Sequence, residues 1–209
     1  MTEELVLYTN PQSRGRIARW MLEEVGQPYR TELLEYGTSM KDARFLAINP
    51  MGKVPAITHR GQVVTECAAI CAYLADAFPQ AGLAPPLAER ARYYRWLFFA
   101  AGPVEAAVTN KALQIDVAPE RERMVGYGTM GHVLDALEGA LYGREYIAAD
   151  HFTAADCYVG SQLGWGMMFG TIEKRPTFEA YVARLHARPA FKRAHEADEA
   201  AMPMPAPAG

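Results

Sequence analysis

Scarcity narrows the class of this chain first. Only 3 cysteines occur among 209 residues, and a small odd number argues against a disulfide framework and for a reducing compartment. Neither sign of charge dominates, with 21 lysines and arginines against 24 acids and a formal charge of -3. That near balance gives no basis for a nucleic-acid or membrane partner, and neither is expected. No apolar run approaches the length of a membrane span, and the start, MTEELVLY, is acidic and then short and apolar, unlike a signal peptide. A soluble, cytoplasmic protein is the expectation. What is present is apolar: 50% of the residues are hydrophobic, enough for a substantial core, and the length admits one or two domains.

Leu5 to Thr9 is a β-branched and aromatic run of strand length, ended by Asn10-Pro11. Ser13 then stands just before Ile17, Trp20, Met21 and Val25, apolar at helical spacing, and Gly26-Gln27-Pro28 stops that helix. As a plain structural residue Ser13 would be its N-cap. Tyr29 to Leu34 reads as a second strand, and Met40 to Ile48 as a short helix.

The stretch from Asn49 to Pro79 packs turn, strand, turn, strand and helix with little slack. Asn49-Pro50 and Gly52 supply turn chemistry, Pro55 opens the strand Ala56-Ile57, and His59 to Gln62 forms a hairpin turn to Val63-Val64. Thr65 is placed to cap a following helix, with Glu66 in its first turn. Two readings stand side by side. Val54-Pro55 and the capped helix are ordinary architecture, or a cis bond presents the Val54 N–H and C=O outward while free amides at the helix start receive a carboxylate.

Pro79 to Pro86, PQAGLAPP, marks a boundary. Beyond it Tyr93, Trp96, Leu97 and Ala100, then Met130, Val133, Leu134, Leu137 and Leu141, recur at helical spacing with no strand between. Phe152, Thr153 and Asp156 spell a hydrophobic staple and a capping box. The expected organisation is an α/β domain over 1–79, a linker over 80–87, an all-helical domain over 88–201, and a proline-rich tail over 202–209 too poor in core residues to order.

NPMGKVPAI followed by TE-C-AAI-AYL resembles the glutathione-binding half of the soluble glutathione S-transferase family, in its serine-type, bacterial-like form. The capping box and the end, ARPAFKRAHE, resemble that family's helical half, so the likeness covers nearly the whole chain. It implies an α/β plus all-α architecture, a thioredoxin-like domain followed by a helical one. It also implies a homodimer with glutathione as co-substrate, no metal, and a small hydrophobic electrophile as second substrate. By the same resemblance Val54 and Pro55 bind the cysteinyl backbone of glutathione, Glu66 and Cys67 hold its γ-glutamyl end, and Lys53 lies near its glycyl carboxylate. Cys67 departs from the serine usual in the family.

Glutathione must ionise to become a nucleophile, so the chemistry implied is stabilisation of its thiolate. A hydroxyl at a helix start suits that task. The resemblance makes Ser13 the thiolate donor, with Tyr8 late in the first strand as the alternative and Asn10 behind both. Phe98, Pro103, Trp165 and Phe169 are candidate walls for the electrophile, and helix core explains them equally. A glutathione-dependent reductase or peroxidase on the same scaffold is one competing class, and a thiol-disulfide or dehydroascorbate-type reductase would want a cysteine near Asn10 to Ser13, where there is none. A non-catalytic glutathione-binding module is the other competing class.

Other signals have structural explanations. Gly126, Gly128 and Gly131 spell a dinucleotide pattern but lack a preceding strand. Cys67 and Cys71 share a helix face without further metal ligands. The basic residues Arg184, Arg188, Lys192 and Arg193 read as a solvated helix face, and the five histidines as surface or packing residues.

Overall fold

A computed structural model describes residues 4–202. The expected tail lies, apart from Met202, outside the described residues. The chain forms two compact units, one running up to Leu74 and resumed from Arg188, the other Ala75–Ala187.

The first unit is built on β1 (Val6–Thr9), β2 (Arg30–Leu33), β3 (Ala56–His59) and β4 (Gln62–Thr65), in the order β2-β1-β3-β4. β1 and β2 are parallel, and α1 (Gly15–Val25) makes the crossover between them. β3 runs antiparallel to both β1 and β4. The β3–β4 hairpin turns at Arg60 (φ 53°) and Gly61 (φ 75°), the left-handed pair that matches strand twist. The stretch expected as one helix from Met40 is instead a 3-10 turn, Ser39–Lys41, and a short α2, Ala43–Leu46, because Asp42 interrupts it in an extended conformation and caps α2 through Arg44 N–H. Met40 and Phe45 bury against Ala56, with Tyr8, Leu34, Ile48 and Val54 packed around them. α3 (Cys67–Ala77) follows β4.

α9 (Pro189–Ala200) packs along α1. The basic run is therefore not simply a solvated face. Arg188 grips Glu24 through two nitrogens, each at 2.7 Å, and Arg193 meets Glu23 at 2.9 Å. Arg19 and Asp198 form a buried pair at 2.7 Å, with side chains only 6% and 1% exposed. Burial pushes the Asp198 carboxyl up despite that guanidinium. Phe191 closes edge-on against Trp20, with ring centres 5.0 Å apart.

The second unit is helical: α4 (Arg90–Phe99), α5 (Glu105–Ala112), α6 (Met130–Leu141), α7 (Ala154–Met168) and α8 (Pro176–His186). A π turn, Ala100–Val104, joins α4 to α5 and carries Pro103, which has no N–H to give. α7 is buried on most sides and starts with the expected capping box. Asp156 accepts four hydrogen bonds there, from the N–H and hydroxyl of Thr153, the N–H of Ile147 and the hydroxyl of Tyr181, at 2.7 to 2.9 Å.

Candidate functional site

Because β3 is antiparallel to β1 and pairs Ala56 with Tyr8, the C-terminal end of β1 lies beside the start of β3. Ala56 also pairs with Thr65, which brings the end of β4 to the same place. Three loops converge at this end of the sheet. They carry Asn10 to Arg14, Lys53 to Pro55, and Glu66 to Cys67. A direct contact confirms the closeness of the first and third: Cys67 Sγ donates to the carbonyl of Arg14 at 3.4 Å.

Ser13 is buried, and its backbone conformation is set by the turn before α1. Its hydroxyl donates to the Asn10 carbonyl at 2.7 Å and accepts from the Gly15 N–H at 2.9 Å. Ser13 is thus not the N-cap. Arg14 occupies the cap position without a side-chain cap bond, and Ser13 covers the first helical amide from one residue further out. The position of Gly15 explains the local fit. A Cβ there would fall 1.8 Å from Thr9 Oγ1 and 2.9 Å from Ser13 Oγ. Thr9 is fully buried, and its hydroxyl has no hydrogen-bond partner among the described residues.

The Val54–Pro55 bond is cis. Among the described residues the N–H and C=O of Val54 have no hydrogen-bond partner, since strand pairing begins at Ala56. The preceding turn is held by Asn49, whose side-chain amide donates to the Lys53 carbonyl at 2.7 Å while its oxygen accepts from Met51 N–H at 3.1 Å. Lys53 itself is exposed. Thr65 is the last residue of β4 rather than a helix cap, and Glu66 is outside the first turn of α3. Glu66 adopts φ 65°, exposed, with its carbonyl receiving the Ile70 N–H at 2.8 Å. That left-handed residue swings the chain from strand into helix within one step. Cys67 opens α3, buried.

The family model described as the glutathione S-transferase N-terminal domain matches residues 14–77, and that for the C-terminal domain matches residues 102–189. Among solved structures, a glutathione transferase from Methylococcus capsulatus is 32% identical, with a TM-score of 0.77 over 94% of this chain and 99% of that one. The chain belongs to the glutathione S-transferase family. A sphingomonad glutathione S-transferase complexed with glutathione is 29% identical, with a TM-score of 0.75 over 93% of this chain and 98% of that one. Glutathione S-transferase 3 of Zea mays is 29% identical over 97% of this chain and 96% of its own length.

In this family member Tyr8 and Thr9 point to opposite faces of the sheet, as adjacent strand residues do. Tyr8 packs its ring against Phe45, with centres 5.7 Å apart. The glycine trio follows a 3-10 segment, Pro119–Met124, rather than the strand that a dinucleotide pattern needs, and Gly131 lies inside α6. Among the described residues no group of three or more His, Cys, Asp or Glu side chains could hold a metal. No described helix is long and apolar enough to cross a membrane. Sequence reasoning passed over Thr9, Gly15 and Arg16. Only the glycine two residues after Ser13 offered a signal, and its meaning depends on a contact across the fold.

Proposed function

We propose that this protein is a glutathione transferase, active as a homodimer, that stabilises the glutathione thiolate for attack on a small apolar electrophile. The observation that carries the reading is the convergence of Ser13, Val54–Pro55 and Glu66–Cys67 at one end of the sheet. An extended peptide with one carboxylate and one thiol answers what each loop offers. Val54 has a free donor and acceptor for the cysteinyl backbone. The start of α3 has amides for the γ-glutamyl carboxylate, Glu66 can accept from its ammonium, and Lys53 provides a cation for the glycyl end. Ser13 is the thiolate donor in this reading, aided by the positive end of α1. To act, its hydroxyl turns from the Asn10 carbonyl to the sulfur, while the Gly15 N–H continues to hold the oxygen. Tyr8 packs against Phe45 in the cluster that also holds Val54, and the variants below separate the two hydroxyls.

The test is glutathione binding by calorimetry together with turnover of an activated chloroarene. Glu66→Ala is expected to weaken glutathione by at least about 1 kcal/mol, and Cys67→Ser to bind at least as well as the wild type. Ser13→Ala is expected to cut turnover about tenfold to a hundredfold with affinity nearly unchanged, and Tyr8→Phe to do neither. Binding without turnover in the wild type would overturn the enzyme reading, and unchanged affinity in Glu66→Ala the assignment of the γ-glutamyl end.

A further inference from the structure

The loop that presents Ser13 is tied down from three sides. Asn10 donates through its side-chain amide to the Leu34 carbonyl at 2.8 Å, just beyond β2. Arg14 receives the Cys67 thiol at the start of α3. Between them the Pro11 carbonyl receives Arg16 Nε at 2.5 Å. Arg16 does not stand alone. Its other nitrogens reach Glu199 Oε1 at 2.7 Å and His195 Nδ1 at 3.4 Å, both on α9. One guanidinium, whose planar fork fixes the angle between its partners, therefore joins the last helix to the residue next to Asn10. Asn10 in turn supplies the carbonyl that holds the Ser13 hydroxyl.

We propose that Arg16, held by Glu199 of α9, is a positioning residue that sets where the Ser13 hydroxyl is presented. This rests on the reading of Ser13 as thiolate donor. Release of the Pro11 carbonyl frees the peptide between Asn10 and Ser13 to rotate, and a hydroxyl displaced by a fraction of an ångström gives up most of a hydrogen bond to sulfur. α9 is in this way part of the apparatus of the site, although it supplies no group that touches glutathione.

A simple charge effect makes a different prediction, which allows a decisive test. If Arg16 acted only through its field, removal of its positive charge would raise the thiol pKa and removal of the Glu199 negative charge would lower it. Loss of positioning raises it in both. The experiment is a pH titration of the thiolate absorbance of bound glutathione in full-length wild type, Arg16→Met, Glu199→Ala, Arg193→Ala and Ser13→Ala. Arg16→Met is expected to lower the ratio of thiolate to thiol about fivefold at a fixed pH, the equivalent of one hydrogen bond. Glu199→Ala, at a half-exposed residue whose loss does not threaten folding, is expected to shift the midpoint upward too, by less. Arg193→Ala removes another α1–α9 pair without touching the loop, and its midpoint is expected to match the wild type.

Opposite shifts in Arg16→Met and Glu199→Ala, no shift in either, or an equal shift in Arg193→Ala would each overturn the proposal. A shift in Ser13→Ala with none in Arg16→Met rejects the role of Arg16 alone. A Ser13→Ala midpoint that does not move rejects the donor assignment, and the role of Arg16 falls with it.

Discussion

Gly15 lies where any side chain of its own would run into the Thr9 hydroxyl and, less closely, the Ser13 hydroxyl. A buried hydroxyl without a partner costs about 1 to 3 kcal/mol relative to an apolar group in the same space. Thr9→Val should accordingly stabilise the protein, by about that amount, in urea unfolding. Gly15→Ala should destabilise it, since the new methyl cannot share space with the Thr9 hydroxyl, and overpacking of this kind costs about 1 to 3 kcal/mol. The double variant Thr9→Ala with Gly15→Ala should recover part of that loss, a coupling expected only of residues in contact. Additive effects would rule the contact out as the reason for the glycine. The same residues show where sequence reading stops. The stretch that carries Val54, Glu66 and Cys67 stands out because its turn, strand and helix signals are local and ordered along the chain. Thr9 looked like any strand residue, because nothing in its neighbours in sequence says that Gly15 folds back over it.

At the scale of the element, helix starts separate local signals from tertiary ones. The capping box of α7 was readable from Thr153 and Asp156 and is present. Its wider role was not readable. Asp156 is fully buried and also collects the Ile147 N–H and the Tyr181 hydroxyl, partners that lie outside the box. Removal of the carboxylate strands several buried donors at once, so Asp156→Ala should cost about 2 to 5 kcal/mol in urea unfolding, more than an exposed cap. Glutathione affinity should be unchanged, because Asp156 belongs to the second unit and Ser13, Val54 and Glu66 to the first. Loss of affinity with full stability would contradict this. The starts of α1 and α3 depart from local propensity in the same way. Thr65 reads in sequence as the cap of α3, and Ser13, as a plain structural residue, as that of α1. In the fold Ser13 is drawn outward by Asn10, and Thr65 is held in the ladder opposite Ala56. Tertiary partners overrode a sound local propensity.

For the whole molecule, the division of the chain is the feature that sequence periodicity could not supply. A helical pattern over 189–200 is the same whether the helix packs with its neighbours in sequence or returns to the start, and Pro79 to Pro86 looked like a simple border. The structure instead gives α9 to the first unit, where it covers Trp20 and pairs Asp198 with Arg19. Each large side chain fully buried in such a contact contributes about 1.5 to 3 kcal/mol, and a domain has about 5 to 15 kcal/mol in total. Trp20 exposed and Arg19 left buried without its carboxylate would remove much of the stability of the first unit. A fragment of residues 1–79 is therefore expected to lack a cooperative thermal transition. The same fragment joined through a flexible glycine-serine linker to residues 188–202 is expected to regain one, and Arg19→Met within it to weaken that transition by several degrees. If residues 1–79 alone melt as cooperatively and at the same temperature as the joined form, α9 is an ornament on the first unit rather than part of its core.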